Sequence, residues 1–194
     1  MRLTPVVLLL CSFAPVSSAQ VGEISLSLGQ SLFKNNKLGS AGDLASQYKV
    51  KDGFRIAARL TLNTRRFIGH EFGYAYNHSK LGLTNAPDEA NMPVHQGFYD
   101  FLLYLTPEGS FIRPFGAGGG QFSTFVPPGA SITYGTGTTK YGLNYGAGVK
   151  IRLTPIFALR LDVRDYITTK PFDLIGKSGA LHQIEASAGL GLYF

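Results

Sequence analysis

Charged side chains recur at every second position in several stretches of this chain. One stretch contains Arg160, Asp162 and Arg164, and another contains Arg55 and Arg59. Residues two apart on a β-strand point to the same face of the sheet. The same spacing assigns eleven ionisable residues to one kind of face. They are Arg55, Arg59, Glu71, Asp100, Arg113, Lys150, Arg152, Arg160, Asp162, Arg164 and Glu185.

The chemistry of these residues depends on whether the face is enclosed. Opposite charges sealed inside a narrow barrel must pair, because an unpaired buried ion is costly. The first interpretation is a salt-bridged polar filling that fixes the register of the strands. The second is a narrow conducting path, or a gate made of switchable ion pairs. Seven basic residues against four acidic ones in this set would make such a path prefer anions.

Residues that could support catalysis do not fall into a recognisable arrangement. His78 and Ser79 are followed by the acidic pair 88–89, but adjacent residues on a strand point to opposite faces. The single cysteine, Cys11, lies in a segment that we expect to be removed. The glycine run 116–120 lacks the Lys and Ser/Thr of a phosphate-binding loop. The sequence therefore predicts no catalytic residues, no metal site and no cofactor.

The charged positions lie in segments of about ten residues in which apolar and polar residues alternate. This length is that of a tilted strand crossing a membrane. No segment after the N-terminus approaches the roughly 18 apolar residues of a spanning helix. The Gly-rich segment near 111–123 leaves the facing of its side chains ambiguous. The predicted strands are 22–31, 53–62, 67–78, 95–105, 111–123, 142–153, 157–166 and 183–194.

The connections between these strands alternate in length. Short turns are predicted at 63–66, 106–110 and 154–156. Transmembrane barrels have tight periplasmic turns and longer extracellular loops. The pattern favours an all-β, antiparallel, up-and-down transmembrane β-barrel of about eight strands with both termini in the periplasm. A soluble periplasmic β-sandwich or barrel is the alternative fold. The long connections are 32–51, 79–94, 124–140 and 167–180.

The two ends of the chain resemble an export signal and an assembly signal. Arg2, an apolar run at 6–14 and small residues at 17–19 are typical of a secretory signal peptide. We expect cleavage after Ala19, so that the signal peptide covers 1–19. At the other end the last strand alternates strictly and ends on an aromatic residue. It resembles the strand by which the barrel-assembly machinery recognises outer-membrane proteins, and its outward signal residues are Leu190, Leu192 and Phe194.

Three strings support a family resemblance: 115–120 (FGAGGG), 159–166 (LRLDVRDY) and 190–194 (LGLYF). They resemble the outer-membrane β-barrel domain family related to the OmpA transmembrane domain, and the resemblance covers 21–194. It implies a barrel domain at 20–194 in the bacterial outer membrane, in contact with outer-membrane lipid, lipopolysaccharide and the barrel-assembly machinery. Because the chain stops at the last strand, we expect no peptidoglycan-binding domain.

The expected function is a structural or surface-interaction role of the adhesion type, with possible host or surface ligands held by the long loops. The alternative is a small anion-preferring pore, and a lipid A-modifying enzyme is third. Nucleic acid is not an expected partner, because base stacking requires a groove open to water, although the formal net charge is +6. Lysines in the long loops would lie near lipopolysaccharide phosphates. They are Lys34, Lys37, Lys49, Lys51, Lys80, Lys140, Lys170 and Lys177.

Overall fold

The structure is a computed structural model that describes residues 21–40, 47–83, 89–130, 137–172, 174 and 179–194. The predicted signal peptide, Asp88 and Lys177 lie outside this part. The regular elements within it are ten β-strands. They are β1 (Val21–Lys34), β2 (Lys37–Gly39), β3 (Tyr48–Arg65), β4 (Ile68–Leu83), β5 (Glu89–Asn91), β6 (Val94–Tyr104), β7 (Ile112–Phe125), β8 (Thr138–Arg152), β9 (Phe157–Thr169) and β10 (Ala180–Tyr193).

The eight long strands form a closed antiparallel barrel. Each long strand pairs with the next long strand along the chain, and β1 closes the ring against β10. At the seam, Glu23 lies opposite Tyr193, and the backbone amide of Gly22 donates to the carbonyl oxygen of Phe194 at 3.0 Å. The predicted up-and-down barrel of about eight strands is confirmed. The short strands β2 and β5 were not predicted.

The two ends of the barrel differ. At one end the connections are short, at 66–67, 105–111 and 153–156, and both termini of the barrel lie there; we call it the short-turn end. The opposite, long-loop end carries the other connections together with β2 and β5. Strands β3 and β4 are 18 and 16 residues long. They extend well beyond the predicted segments towards the long-loop end, where β2 and β5 pair with them.

A β-bulge interrupts the pairing of β3 with β4. Lys51 lies opposite Lys80, but Phe54 lies opposite His78, so β3 advances three residues while β4 advances two. The extra residue reverses which side chains of β3 face inward. Gly53 lies at the bulge, where a Cβ atom would overlap the carbonyl oxygen of His78. A side chain at this position would push the two strands apart.

The outer wall of the barrel is apolar and its interior is polar. Leu26, Tyr74 and Tyr145 are more than half exposed, whereas Arg160 and Glu71 are fully buried. This arrangement is the reverse of a soluble β-protein and is that of a barrel whose outer surface faces lipid. No helix in the described part of the chain is long and apolar enough to span a membrane.

The facing of the Gly-rich strand β7 is now defined. Arg113, Phe115 and Gln121 are buried inside the barrel, whereas Ile112 and Phe122 are exposed on the outer wall. The even-numbered glycines of β7 therefore face outward, because side chains alternate along a strand. They leave a bare strip on the lipid-facing surface between β6 and β8.

Candidate functional site

The centre of the barrel holds a layer of four arginines and four carboxylates, which we call the central charged layer. All eight residues are at most 3% exposed. They come from alternate positions of five strands, so the period of the strand directs every one of them inward. Their formal charges cancel. They are Arg55 and Arg59 on β3, Glu71 on β4, Asp100 on β6, Arg160, Asp162 and Arg164 on β9, and Glu185 on β10.

Glu71 is the hub of this layer. Its Oε2 lies 2.5 Å from Nη1 of Arg160, and its Oε1 lies 2.8 Å from Nη2 of Arg164. Nε of Arg59 approaches Oε1 to 3.7 Å. The hydroxyl of Thr61 donates to Oε2 at 2.8 Å. One carboxylate thus serves three guanidinium groups, and both of its oxygens are engaged.

Glu185 pairs with the two arginines of β3. Glu185 binds Nη2 of Arg59 at 2.9 Å and Nε of Arg55 at 3.0 Å. The guanidinium of Arg55 also donates to the side-chain oxygen of Gln96. Every charge of this half of the layer therefore has a partner of opposite sign.

Strand β9 supplies an internal ion-pair ladder. Asp162 lies between Arg160 and Arg164, two residues away on either side, and contacts them at 2.5 Å and 3.3 Å. Arg164 also forms an ion pair with Asp100 across the barrel. This pair joins β9 to β6, and the contacts of Arg160 and Arg164 with Glu71 join β9 to β4. Neither β6 nor β4 pairs with β9 through its backbone.

Aromatic rings pack against the arginines of the central charged layer. The guanidinium of Arg55 lies 4.5 Å from the ring centre of Tyr166, and that of Arg160 lies 5.0 Å from the ring centre of Phe115. Phe98 lies 5.7 Å from the guanidinium of Arg59. A cation over an aromatic face is attracted by the ring quadrupole. The rings therefore pack against the arginines and stabilise their charge inside the barrel.

Amides and hydroxyls occupy the interior next to the central charged layer. Nε2 of Gln96 donates to Ser123 Oγ and to Gln183 Oε1, both at 2.8 Å. Gln183 in turn donates to Ser31 Oγ at 2.9 Å, and Ser123 donates to Gln121 at 2.8 Å. This network links β1, β6, β7 and β10 across the barrel.

An apolar cluster lies inside the barrel at the long-loop end. Its members are buried on the inner side of the strands and are packed by half-buried neighbours such as Tyr48 and Leu81. These side chains form an apolar layer between the long-loop end and the polar interior. The members are Phe33, Leu38, Val50, Met92, Val94, Phe125 and Leu181.

Two ion pairs occupy the short-turn end. Nζ of Lys150 lies 2.5 Å from Glu23, and Nη1 of Arg113 lies 2.9 Å from Glu108. The guanidinium of Arg113 stacks 3.4 Å from the ring centre of Tyr104. Neither acid of these pairs belongs to the predicted set of inward charged residues. Glu23 could have been found, because it shares its face of β1 with Ser25; Glu108 lies in a turn, where no period applies.

The predicted charge excess of the interior was therefore too large. Seven basic residues had been set against four acidic ones, but Glu23 and Glu108 bring the acids to six. Arg152, the remaining basic residue, is half-buried and lies 5.0 Å from the ring centre of Tyr193. Lys170, which directly follows β9, is buried as well, so basic residues still outnumber acidic ones in this set by eight to six, a smaller excess than the predicted set gave.

The histidines lie on the outer wall. His182 contacts Asp165 at 2.8 Å, His95 contacts the hydroxyl of Tyr74 at 2.5 Å, and His70 contacts that of Tyr99 at 2.7 Å. His78 is exposed there too, whereas Ser79 is buried and donates to the carbonyl of Met92 at 2.7 Å. Within the described residues, no group of three or more His, Cys, Asp or Glu side chains could hold a metal ion.

A closed barrel with an apolar outer wall, a polar interior, and short and long connections at opposite ends defines the class of transmembrane β-barrels. Residues 4–194 match the model of a family described as the outer membrane protein beta-barrel domain. The chain belongs to that family, and the resemblance noted from its sequence strings is confirmed.

Solved structures with the same fold come from several bacteria. The outer membrane protein OprG of Pseudomonas aeruginosa is 14% identical, with a TM-score of 0.67 over 91% of this chain and 96% of that one. Neisserial surface protein A is 15% identical, with a TM-score of 0.59 over 93% and 100%. Ail of Yersinia pestis, in complex with the heparin analogue sucrose octasulfate, is 16% identical, with a TM-score of 0.54 over 91% and 100%. A comparison with curated protein sequences finds no match.

The family and these structures place the protein in the bacterial outer membrane. In such barrels the short turns face the periplasm and the long loops face the cell exterior. The short-turn end is therefore the periplasmic end. Leu190, Leu192 and Phe194 are exposed on the lipid-facing side of the last strand and at the terminus that follows it.

Proposed function

We propose that the protein is a sealed outer-membrane barrel with a structural and surface-interaction role, whose interior is filled by a salt-bridged polar plug. The carrying observation is the central charged layer, in which four arginines and four carboxylates are paired within the barrel. An eight-stranded barrel is just wide enough for its side chains to fill. The apolar cluster at the extracellular end adds a second barrier.

In this role the plug fixes the strands, and the strands carry the long loops. The adhesion-type contact belongs to those extracellular loops. We also infer that residues 1–19 are removed after export, and that Leu190, Leu192 and Phe194 are the assembly signal. Their outward position leaves them accessible to an assembly partner that binds the edge of the last strand.

The second candidate is a small pore, and the observation in its favour is that Arg152 at the periplasmic end has no carboxylate partner among the described residues. An anion entering there would meet a cation first. It would then have to separate the paired charges of the central layer, and each charge left unpaired in a buried site costs several kcal/mol. The cost of separating these buried charges therefore favours the sealed interior over the pore. A lipid A-modifying enzyme has less support, because His78 and Ser79 lie on opposite faces of β4.

Planar-bilayer recording tests the sealed interior. We expect the purified, folded protein to insert without producing stable open-channel currents, because both barriers block the lumen. A porin of known conductance in the same bilayer is the control for the recording, and a heat-dependent shift in gel mobility shows that the protein is folded. Stable currents that change in amplitude when Asp162→Asn removes one charge of the plug would refute this proposal.

A further inference from the structure

Four strand segments extend beyond the closed barrel at the extracellular end. They are β2, the ends of β3 and β4, and β5, paired in that order. Within this sheet Lys37 lies directly opposite Lys49, and Lys51 lies directly opposite Lys80. Directly opposed residues of an antiparallel pair have Cβ atoms about 4.5–5.5 Å apart. The sheet therefore brings four ammonium groups together on three adjacent strands.

The bulge in β3 determines which way these lysines point. Val50 is fully buried and faces inward, where it belongs to the apolar cluster. Its neighbours Lys49 and Lys51 must then face outward. Without the extra residue at Asp52 and Gly53, they would share the inward face of Arg55. The same alternation around the fully buried Leu38 turns Lys37 outward.

The outward lysines are incompletely neutralised. Glu89 on β5 forms ion pairs with Lys51 and, at 3.1 Å, with Lys80. Hydrogen bonds from these two lysines lower the pKa of Glu89 below its ordinary value, so its carboxylate is ionised at neutral pH. Among the residues that the structure describes, Lys37 and Lys49 form no ion pair with a carboxylate. Like charges placed directly opposite each other destabilise a sheet.

The position of the lysines indicates what relieves this repulsion. Lys49, Lys51 and Lys80 lie on the same strands as the lipid-facing residues Phe54, Ile56 and Tyr74 but nearer to the cell exterior, and Lys37 lies beside them on β2. The headgroups of the outer leaflet begin where the apolar band ends. A ligand at this height is flanked by lipid, so an anionic lipid headgroup fits the site better than a soluble polymer.

We propose that Lys37, Lys49, Lys51 and Lys80 bind the phosphate groups of a lipopolysaccharide molecule in the outer leaflet. This inference rests on the outer-membrane placement of the proposed function, and it gives the surface role a defined partner and side. The bulge turns two of the lysines towards that partner. Glu89 competes with the phosphates for Lys51 and Lys80.

Native mass spectrometry of the full barrel released from nanodiscs tests this proposal. The nanodiscs contain phosphatidylcholine with either bis-phosphorylated lipid A or the same lipid A without its phosphates. We expect wild type to retain only the phosphorylated form. The double variant Lys37→Gln/Lys49→Gln should bind it roughly 20-fold or more weakly, since each lysine near an anionic surface contributes about fivefold.

Two further variants separate binding from folding. Glu89→Gln should tighten the retention of phosphorylated lipid A, because it removes the competing carboxylate; a purely structural Glu89 would give no gain. Lys140→Gln, on β8 at the far side of the eight-strand ring, should bind as wild type does. A heat-dependent gel shift verifies that each variant is folded.

Three results would overturn the proposal. One is equal retention of lipid A with and without phosphates, and another is a double variant that binds as tightly as wild type. The third is that a heparin oligosaccharide binds wild type but not the double variant, while both proteins retain lipid A equally. That result would assign the lysines to a sulfated glycan. None of these results bears on conductance, so the sealed interior stands or fails separately.

Discussion

Glu71→Gln is expected to lower the free energy of unfolding by about 3–5 kcal/mol, the cost of removing one partner from a buried ion-pair group. The carboxylate of Glu71 contacts Arg160 at 2.5 Å, Arg164 at 2.8 Å and Arg59 at 3.7 Å. All four side chains are fully buried. The amide of glutamine has nearly the same shape, so the change removes charge while it leaves the packing in place.

Urea unfolding of the barrel in lipid vesicles, followed by the heat-shifted gel band and by circular dichroism, measures this loss. Glu89→Gln is the matched control, because it makes the same chemical change in an exposed ion pair. Exposed pairs contribute little to stability, so the control should unfold at the wild-type urea concentration. A Glu71→Gln barrel as stable as the control would show that the central charged layer does not hold the strands together.

A double-mutant cycle with Arg160→Gln extends the same argument. Each single change leaves a buried charge without its partner, whereas the double change removes both charges. The loss from the double variant should therefore be smaller than the sum of the two single losses. Additive losses would mean that Glu71 and Arg160 act independently, contrary to their 2.5 Å contact.

The faces of the strands could be predicted because alternation is a local property. Arg160, Asp162 and Arg164 lie two residues apart, and a period of two places them together whatever the rest of the chain does. Tyr99 and Tyr145 are exposed on the outer wall for the same reason. The fold followed from these faces together with the alternating lengths of the connections.

The partner of each charge could not be predicted from alternation. Glu71 on β4 meets Arg160 on β9, on strands that are not neighbours in the sheet. That contact depends on the diameter of the barrel and on the stagger of its strands, which are properties of the closed ring. Glu108 was missed for a different reason: it lies in the turn before β7, where no alternation indicates the direction of a side chain, although Arg113 is only a few residues away.

The bulge in β3 marks the limit of prediction by period. Counting every second residue from Arg55 back towards the N-terminus places Lys51 and Lys49 inside the barrel. The structure places Val50 inside instead, because one extra residue reverses the alternation. Asp52 takes part in this local rearrangement by accepting a hydrogen bond from the backbone amide of Phe33 at 2.7 Å. Single-residue insertions of this kind leave no clear mark in a sequence.

Gly146→Ala is the second change for which we expect a large loss of stability, about 3 kcal/mol, at the upper end of the usual cost of overpacking. Gly146 faces the interior from β8, and a Cβ atom there would overlap the carbonyl oxygen of Val163 and lie 2.7 Å from Cα of Arg164. Both are backbone atoms of the paired strand β9, so no side chain can rotate to make room. The two strands would have to separate.

Gly120→Ala is the control for this change. Gly120 faces outward from β7, and nothing lies within 4 Å of the position that its Cβ would take. Alanine is more favourable than glycine in a strand by roughly 0.5–1 kcal/mol, so this variant should be as stable as wild type or slightly more stable. If the two alanine variants unfold at the same urea concentration, close packing between β8 and β9 is not what requires glycine at position 146.

The two large effects should be coupled through Arg164. Gly146→Ala displaces the backbone of Arg164, and Glu71→Gln removes the carboxylate that its guanidinium contacts at 2.8 Å. Once the strand carrying Arg164 has shifted, the loss of Glu71 costs less, because their contact is already weakened. The combined variant should therefore lose less stability than the sum of the two single losses, as neighbouring sites commonly do. A strictly additive loss would show that the backbone of β9 shifts only near Val163 and that the central charged layer keeps its geometry.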